Sequence, residues 1–384
     1  MRLQWNSKPF SLIQRCADID DFLNSYPDNN CAANFNTGQP ITQPSSVFPD
    51  YLTHTTRVVD LVAPYLNSTL LSQTYSKPFI MFETNSASCG GFAGVSDTYG
   101  AALWAADYGL QMAYGNFSNA LLHFGGQNSF YNPFTSPPSN QSLYNQWTVG
   151  GVYYAAIILA EALGTSNTSR VIDLNANGGN EYTPAYAIYE NGALNKVAVF
   201  NYVDDQTGGS SLSITLAVQG GNGIGDSVKV KYLAAESVST RDDITWAGQT
   251  MGNTFEVDGR FKGSLNISTI ACTQGTCTVP LPAPGFALIF IDTTSNFNAQ
   301  LLGIGQATQT YATTRRTNIH NTATIDWTQV SDSNGENGTF RESLRSSNYG
   351  KTSAAERMGL GTVWVAVTTV MFCGVIRVVM GLMY

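Results

Sequence analysis

The run Phe79-Ile80-Met81-Phe82-Glu83-Thr84-Asn85-Ser86-Ala87-Ser88-Cys89-Gly90-Gly91 decides the reading of this chain. Its first four residues, entered through Pro78, are apolar on both faces, which predicts a strand buried in a parallel sheet. The run stops at Glu83 and passes into a polar loop closed by two glycines. A carboxylate at the C-terminal end of a parallel strand stands where barrel enzymes keep their reacting groups. The same position also suits a solvated, idle loop acid. Gly90-Gly91 offer bare backbone that can approach a ligand and present N–H groups to an anion, or can simply serve a turn.

Upstream, Val58, Leu61, Val62, Tyr65, Leu66 and Leu70 recur at helical spacing from Thr55 to Leu71, with Pro64 expected to kink or divide the helix. The stretch before about residue 55, rich in Asn, Pro, Asp and Ser, reads as irregular. Downstream, Ser96 and Asp97 supply N-cap chemistry for a helix running to about Met112. Ala120-Leu121-Leu122-His123-Phe124 predicts a second strand ending at Gly125-Gly126, followed by a loop from Gln127 to Gln141. An apolar helix from about Trp147 to Leu163 closes at Gly164. Strand, loop and helix repeated in this order are the grammar of an α/β barrel or a doubly wound sheet.

After about Ser169 the grammar changes. Val197–Phe200, Leu212–Val218, Val228–Tyr232, Thr245–Gly248, Thr254–Val257, Cys277–Val279 and Phe286–Ile291 alternate like strands between Gly-rich turns. They predict an all-β sandwich of about eight short strands over 169–294. Residues 295–360 are polar with few large apolar side chains and read as a disordered stalk. Gly361–Tyr384 is nearly all apolar, and as a helix its 24 residues would span about 36 Å. It is expected to be a transmembrane helix or a cleaved lipid-anchor signal, tethering the protein to a membrane.

The net charge of -8 excludes nucleic acid as a partner, which needs a basic face. Charged residues make up 12% of the chain, about half the usual share, so the surface must be carried by uncharged polar groups. Asn-x-Ser/Thr sequons at Asn67, Asn116, Asn140, Asn167, Asn266 and Asn337 favour passage through the secretory pathway, with residence at the cell surface or outside it. Cys272 and Cys277 bracket a tetrapeptide suited to a disulfide across a tight hairpin, and Cys16 and Cys31 are a further possible pair. No signal peptide is visible at Met1, which leads to the expectation that the true N-terminus is absent, with unconventional or cytoplasmic residence as the alternative. The histidines at 54, 123 and 320 are scattered, so no metal or organic cofactor is implied, and His123 reads as packed near its strand end.

Phe82-Glu83-Thr84-Asn85-Ser86-Ala87-Ser88-Cys89-Gly90-Gly91, followed by Val95-Ser96-Asp97-Thr98, resembles the nucleophile segment of family-79 glycoside hydrolases, the heparanase and β-glucuronidase relatives. Their pattern is Gly-Glu-Thr-Ser-Ser-Ala-Tyr-Gly-Gly-Gly and then Leu-Ser-Asp-Thr. His123-Phe124-Gly125-Gly126-Gln127-Asn128 is similar to the family's Phe-Gly-Ala-Gly-Asn segment, and Cys277 to Ala287 to its fungal-type accessory domain. The resemblance implies a (β/α)8 barrel, a glycan substrate and a retaining mechanism, in which one carboxylate attacks the anomeric carbon while a second serves as acid and then base. Glu83 takes the nucleophile role. The uronate-binding N–H groups fall on Cys89, which replaces a glycine, and on Gly90, with Gly91 beside them. The substrate-binding tyrosine falls nearest Tyr131, Ser129 or Phe130 standing at the aligned position.

The family's acid/base belongs on the fourth barrel strand, about 90 or more residues before a nucleophile on the seventh. Only 82 residues precede Glu83 and none is Glu. The expectation for residues 1–168 is therefore a partial barrel, about strands 6–8. As written the chain is expected to lack useful hydrolase activity. The alternative is a non-catalytic carbohydrate-binding or structural module at the cell surface.

Overall fold

The computed structural model describes residues 26–35, 37–125, 129–135, 148–218, 224–252 and 260–291, with 371–372 and 375–376. The last four belong to a separate unit and pair as a short antiparallel ladder. At those positions the expected tail helix is replaced by extended backbone. The rest of 361–384, the stalk at 295–360, Cys16, His320 and the sequons Asn140 and Asn337 lie outside the described residues. Among the described residues no helix is long and apolar enough to cross a membrane.

A single helical turn at Cys31–Asn34 and then the longer α1 (Pro44–Tyr51) interrupt the stretch expected to be irregular. Pro44 sits in its first turn, where the missing N–H has no intrahelical partner to lose, and the helix buries Val47 and Tyr51. The next helical stretch is divided at Pro64, as the sequence implies. It opens as a wide π turn (Thr55–Val59), passes through Asp60–Val62, tightens to a 3-10 turn (Ala63–Tyr65), and resumes as α2 (Leu66–Thr74). Proline removes one backbone donor, and the tighter turn accommodates the gap.

β1 (Ile80–Thr84) and β2 (Asn119–Leu122) are parallel, joined through α3 (Tyr99–Tyr114). Ser96 and Asp97 do not cap α3: their side chains accept the Phe92 and Gly94 N–H groups, at 2.9 and 2.7 Å, and close the preceding turn. Thr98 is the N-cap residue. α3 is buried almost all round, the mark of a central helix. α4 (Gly151–Leu163) packs beside it and ends at Gly164, whose φ of 66° only glycine adopts freely. It begins later than expected because Thr148–Val149 is spent pairing with Phe134–Thr135, as β4 with β3.

Ten antiparallel strands follow: β5 (Arg170–Asp173), β6 (Ala185–Glu190), β7 (Ala193–Asn201), β8 (Leu212–Ala217), β9 (Ser227–Ala234), β10 (Thr245–Trp246), β11 (Gln249–Thr250), β12 (Ser268–Thr273), β13 (Thr276–Leu281) and β14 (Gly285–Phe290). The main path runs β5-β6-β7-β14-β9-β12-β13-β8. This is one continuous sheet folded over itself rather than two separate sheets. Ser268–Ala271 of β12 pair with β9, while Cys272–Thr273 pair with β13, so the strand turns the corner. Alternation then separates two cores. Tyr186, Ile188, Ala198, Phe200, Phe286 and Leu288 face the core built around α3. Ala185, Val197, Val199, Ala287 and Ile289 face Val279 and Leu281 inside the fold of the sheet.

Buried polar groups stitch the helices to the sheet. Asp107 of α3, fully buried, receives His54 Nδ1 at 2.9 Å and Tyr202 Oη at 2.5 Å, and a hydrogen bond from Tyr186. His54 Nε2 lies 3.3 Å from Asp173. Burial works to lower the His54 pKa, but the hydrogen bonds and charges of Asp107 and Asp173 outweigh it and carry it to about 10. On α4, Glu161 pairs with Lys231 and accepts from Trp246 Nε1 at 3.1 Å.

Candidate functional site

Glu83 reaches solvent because β1 bulges. Met81 faces Ala120 and Thr84 faces Leu122, so β1 spends three steps where β2 spends two. Phe82 and Glu83 consequently both turn outward, the re-aiming that bulges perform beside active sites. The base beneath is rigid. Thr84, Asn85 and Ser86 are fully buried. The Thr84 carbonyl accepts from the His123 N–H at 2.8 Å, and Asn85 Nδ2 donates to the carbonyls of His123 and Tyr131 at 2.9 and 3.2 Å. Tyr26 Oη donates to Glu83 Oε1 at 2.8 Å. Burial first, then this hydrogen bond and the Glu83 charge, push the Tyr26 phenol far above its ordinary range, so it stays a donor. One carboxylate oxygen is thus held by Tyr26 while the side chain faces solvent, an arrangement suited to a nucleophile or an anion.

The loop after Glu83 turns through three left-handed residues: Cys89 at φ 55°, Gly90 at 92° and Gly91 at 75°. Glycine adopts these angles freely, whereas a residue with a side chain pays roughly 1–2 kcal/mol. A Cβ on Gly91 would sit 2.5 Å from Ser96 Oγ, so glycine is required there by space as well. The Gly90 carbonyl accepts the Phe130 N–H at 2.6 Å, which brings Tyr131 to the loop. Tyr131 is buried and its hydroxyl hydrogen-bonds His123 Nδ1. Burial raises its pKa, the Gly90 N–H opposes this, and the charge of Glu83 adds to the rise. Glu83, Gly90 and Tyr131 are therefore gathered at one place, with Cys89 and Gly91 flanking Gly90. His123, read from sequence as a packed residue, is exposed and belongs to the same cluster.

Two contributors escape a sequence reading. Tyr26 lies 57 residues before its carboxylate partner. Cys31 bonds Cys89, with Cα atoms 5.0 Å apart, and not Cys16. The segment carrying both lies along the glycine loop: the Asp28 carbonyl accepts from the Ser88 N–H at 2.9 Å, Asn30 Nδ2 donates to the Gly91 carbonyl at 2.7 Å, and Asn34 donates to the Cys89 carbonyl. Arg57 anchors it from behind, 3.2 Å from Asp28. Cys272 and Cys277 face each other across β12 and β13 and are bonded, with Cα atoms 4.3 Å apart. Asn67, Asn116, Asn167 and Asn266 are exposed. Among the described residues no group of three or more His, Cys, Asp or Glu side chains is arranged to hold a metal ion.

Residues 185–288 match the family model described as the glycosyl hydrolase family 79 C-terminal beta domain. A β-glucuronidase of Aspergillus niger is 32% identical over 225 residues, 54% of this chain and 40% of the relative. The chain thus spans well under half the length of that curated relative. The solved 4-O-α-L-rhamnosyl-β-D-glucuronidase of Fusarium oxysporum 12S superposes with a TM-score of 0.50 at 24% identity, over 63% of this chain and 50% of that one. That likeness concerns the fold: a glycosidase-like body with a curled antiparallel sheet. The family match over 185–288 and the sequence relative make this chain similar to the glycoside hydrolases of family 79.

Proposed function

We propose that the chain carries the nucleophile half of a retaining glycoside hydrolase for β-linked uronosides, with β1 and β2 as the last two strands of a (β/α)8 barrel. The observation that carries this reading is Glu83 itself. It is exposed at the end of a parallel strand, oriented by the Tyr26 hydroxyl and flanked by a left-handed glycine loop and Tyr131. By name, both the curated relative and the superposed structure are glucuronidases, and a uronoside is the substrate class they share. In this reading Glu83 attacks the anomeric carbon, the leaving oxygen departs, and a glycosyl ester forms on the carboxylate. In the same reading the N–H groups of Cys89 and Gly90 and the Tyr131 hydroxyl bind the uronate carboxylate.

Because no glutamate precedes Glu83, the chain by itself is proposed to lack the acid/base and to turn over ordinary glycosides poorly. General acid catalysis contributes about 10²–10⁴-fold, and a leaving group that needs no proton escapes that loss. Incubation with 2,4-dinitrophenyl 2-deoxy-2-fluoro-β-D-glucuronide is expected to add one glycosyl unit to Glu83, read by intact mass and peptide mapping, and to leave Glu83→Gln unlabelled. No adduct on the unaltered protein, or an equal adduct on the variant, overturns the assignment. A second reading is a carbohydrate-binding module on the same scaffold; binding of glucuronides without any adduct would select it. The sequons and the apolar 361–384 tail underlie a further proposal, a glycosylated protein tethered at the cell surface.

A further inference from the structure

We infer that the Cys31–Cys89 disulfide is a latch that positions the site: it holds the 88–91 loop in its left-handed conformation and fixes the Tyr26–Asn34 strap, with its hydroxyl on Glu83, as one unit. This inference rests on the uronoside reading for the ligand but on geometry for the latch. Three observations converge. First, Cys89 adopts a φ of 55° immediately before two left-handed glycines, a conformation its side chain disfavours and the covalent bond to Cys31 holds in place. Second, the strap contacts the loop through backbone and side chain at four points: Asn29 bridges Ser88, the Ser88 N–H reaches the Asp28 carbonyl, and Asn30 and Asn34 occupy the carbonyls of Gly91 and Cys89. The Ser88 and Gly91 N–H groups are bonded to the carbonyls of Asp28 and Ser88, and the loop carbonyls are taken by the strap and by Phe130. This leaves the N–H groups of Cys89 and of Gly90, the latter also reaching Tyr131, as the donors for an anion. Third, the strap begins at Tyr26, which donates to Glu83.

The disulfide closes a loop of 58 residues between these two pieces of the site. Without it the strap is held by its hydrogen bonds and the Arg57–Asp28 pair alone, contacts that open locally far more readily than a covalent link. Loss of the latch therefore acts on the site rather than on the cores, which Cys31 and Cys89 do not enter. Cys31 and Cys89 are positioning residues: neither is asked to touch the reacting atoms through its sulfur.

The test uses the full chain as Cys31→Ser/Cys89→Ser and as Cys31→Ser/Cys89→Gly, with two readouts. Amide hydrogen exchange over 26–34 and 88–91 is expected to quicken at least tenfold in both variants. Calorimetric affinity for 4-nitrophenyl β-D-glucuronide is expected to fall about tenfold in the double serine variant. Glycine at 89 is expected to recover part of that loss, because it accepts the left-handed angle, while exchange in 26–34 stays fast. Unchanged exchange and affinity in the serine variant overturn the latch. Full recovery of both with glycine also overturns it, since backbone conformation alone would then suffice. Should neither variant fold, exchange is compared in folded Cys272→Ser/Cys277→Ser protein before and after dithiothreitol. The reductant gives two electrons and two protons to the disulfide, leaving two thiols and closing to its own cyclic disulfide; no change over 26–34 refutes the proposal. If the unaltered protein binds no glucuronide, the uronoside reading fails while the exchange result still decides the latch.

Discussion

The antiparallel sheet and the β1–β2 pair solve the burial problem in opposite ways. Every residue of β14 is buried, alternate side chains entering the α3 core and the core inside the curl. The pair covers one face only. Met81, Ala120 and Leu122 pack toward α3, whereas Ile80, Phe82 and Leu121 are 40%, 81% and 48% exposed. Parallel strands are nearly always covered on both faces, and in a complete (β/α)8 barrel this face would pack against the barrel interior. The difference is one of cover: the curled sheet buries both of its own faces, while the parallel pair packs on α3 and leaves the face of Phe82 and Glu83 exposed among the described residues.

That contrast can be broken at its strongest point first. Phe286→Ala, at the crossing of β14, β7 and the aromatic group of Phe200 and Trp246, should cost about 3–5 kcal/mol in urea unfolding. A loss below ~1 kcal/mol would mean that the sheet is not the stable half. Next comes the seam. His54→Gln should cost about 1.5–3 kcal/mol near neutral pH, the range for hydrogen bonds to charged groups. Its pH dependence follows from a pKa raised from 6.5 to about 10 in the folded protein. The imidazolium's stabilisation is complete below about 6.5 and is lost as pH climbs through 10. Thermal unfolding midpoints of protein and variant should therefore converge toward pH 10 relative to their separation at pH 6; parallel curves would remove the ion pairs from the account. The smallest effect belongs to the open face. Phe82→Ser should change stability by no more than about 0.5 kcal/mol and should lower binding of an apolar dye. A loss of 2 kcal/mol or more would show that Phe82 is packed.

The sequence carries the local half of this site and little of the rest. The Glu83 strand and loop are legible because an apolar run, an abrupt carboxylate and paired glycines are neighbours in the chain. The division at Pro64 and the stop at Gly164 are legible for the same reason. Tyr26 and the Cys31–Cys89 bond are not, since nothing local couples residues separated by 57 and 58 positions. The bulge at Phe82–Glu83 leaves no trace in composition, and without it the alternation of β1 would turn Glu83 inward. His54 reads as a lone histidine because its partners, Asp107 and Asp173, come from α3 and β5. The curl of the sheet is hidden similarly: β12 carries an ordinary strand pattern, and only its two sets of partners reveal the corner.

The seam at Asp107 also bears on how such a protein can change over evolutionary time. Judged by the change of grammar at residue 169 alone, the β domain is a cassette open to exchange by recombination. Yet the helix side supplies a buried carboxylate and the sheet side supplies the two tyrosines and the aspartate that satisfy it and its histidine. A swapped sheet would leave that carboxylate without its tyrosines in a dry core, and the α3 surface without Tyr186, Phe200 and Phe286 to rest on. The two halves are thus coupled through the seam, and a substitution on either side of it is judged by what the other side can still accept.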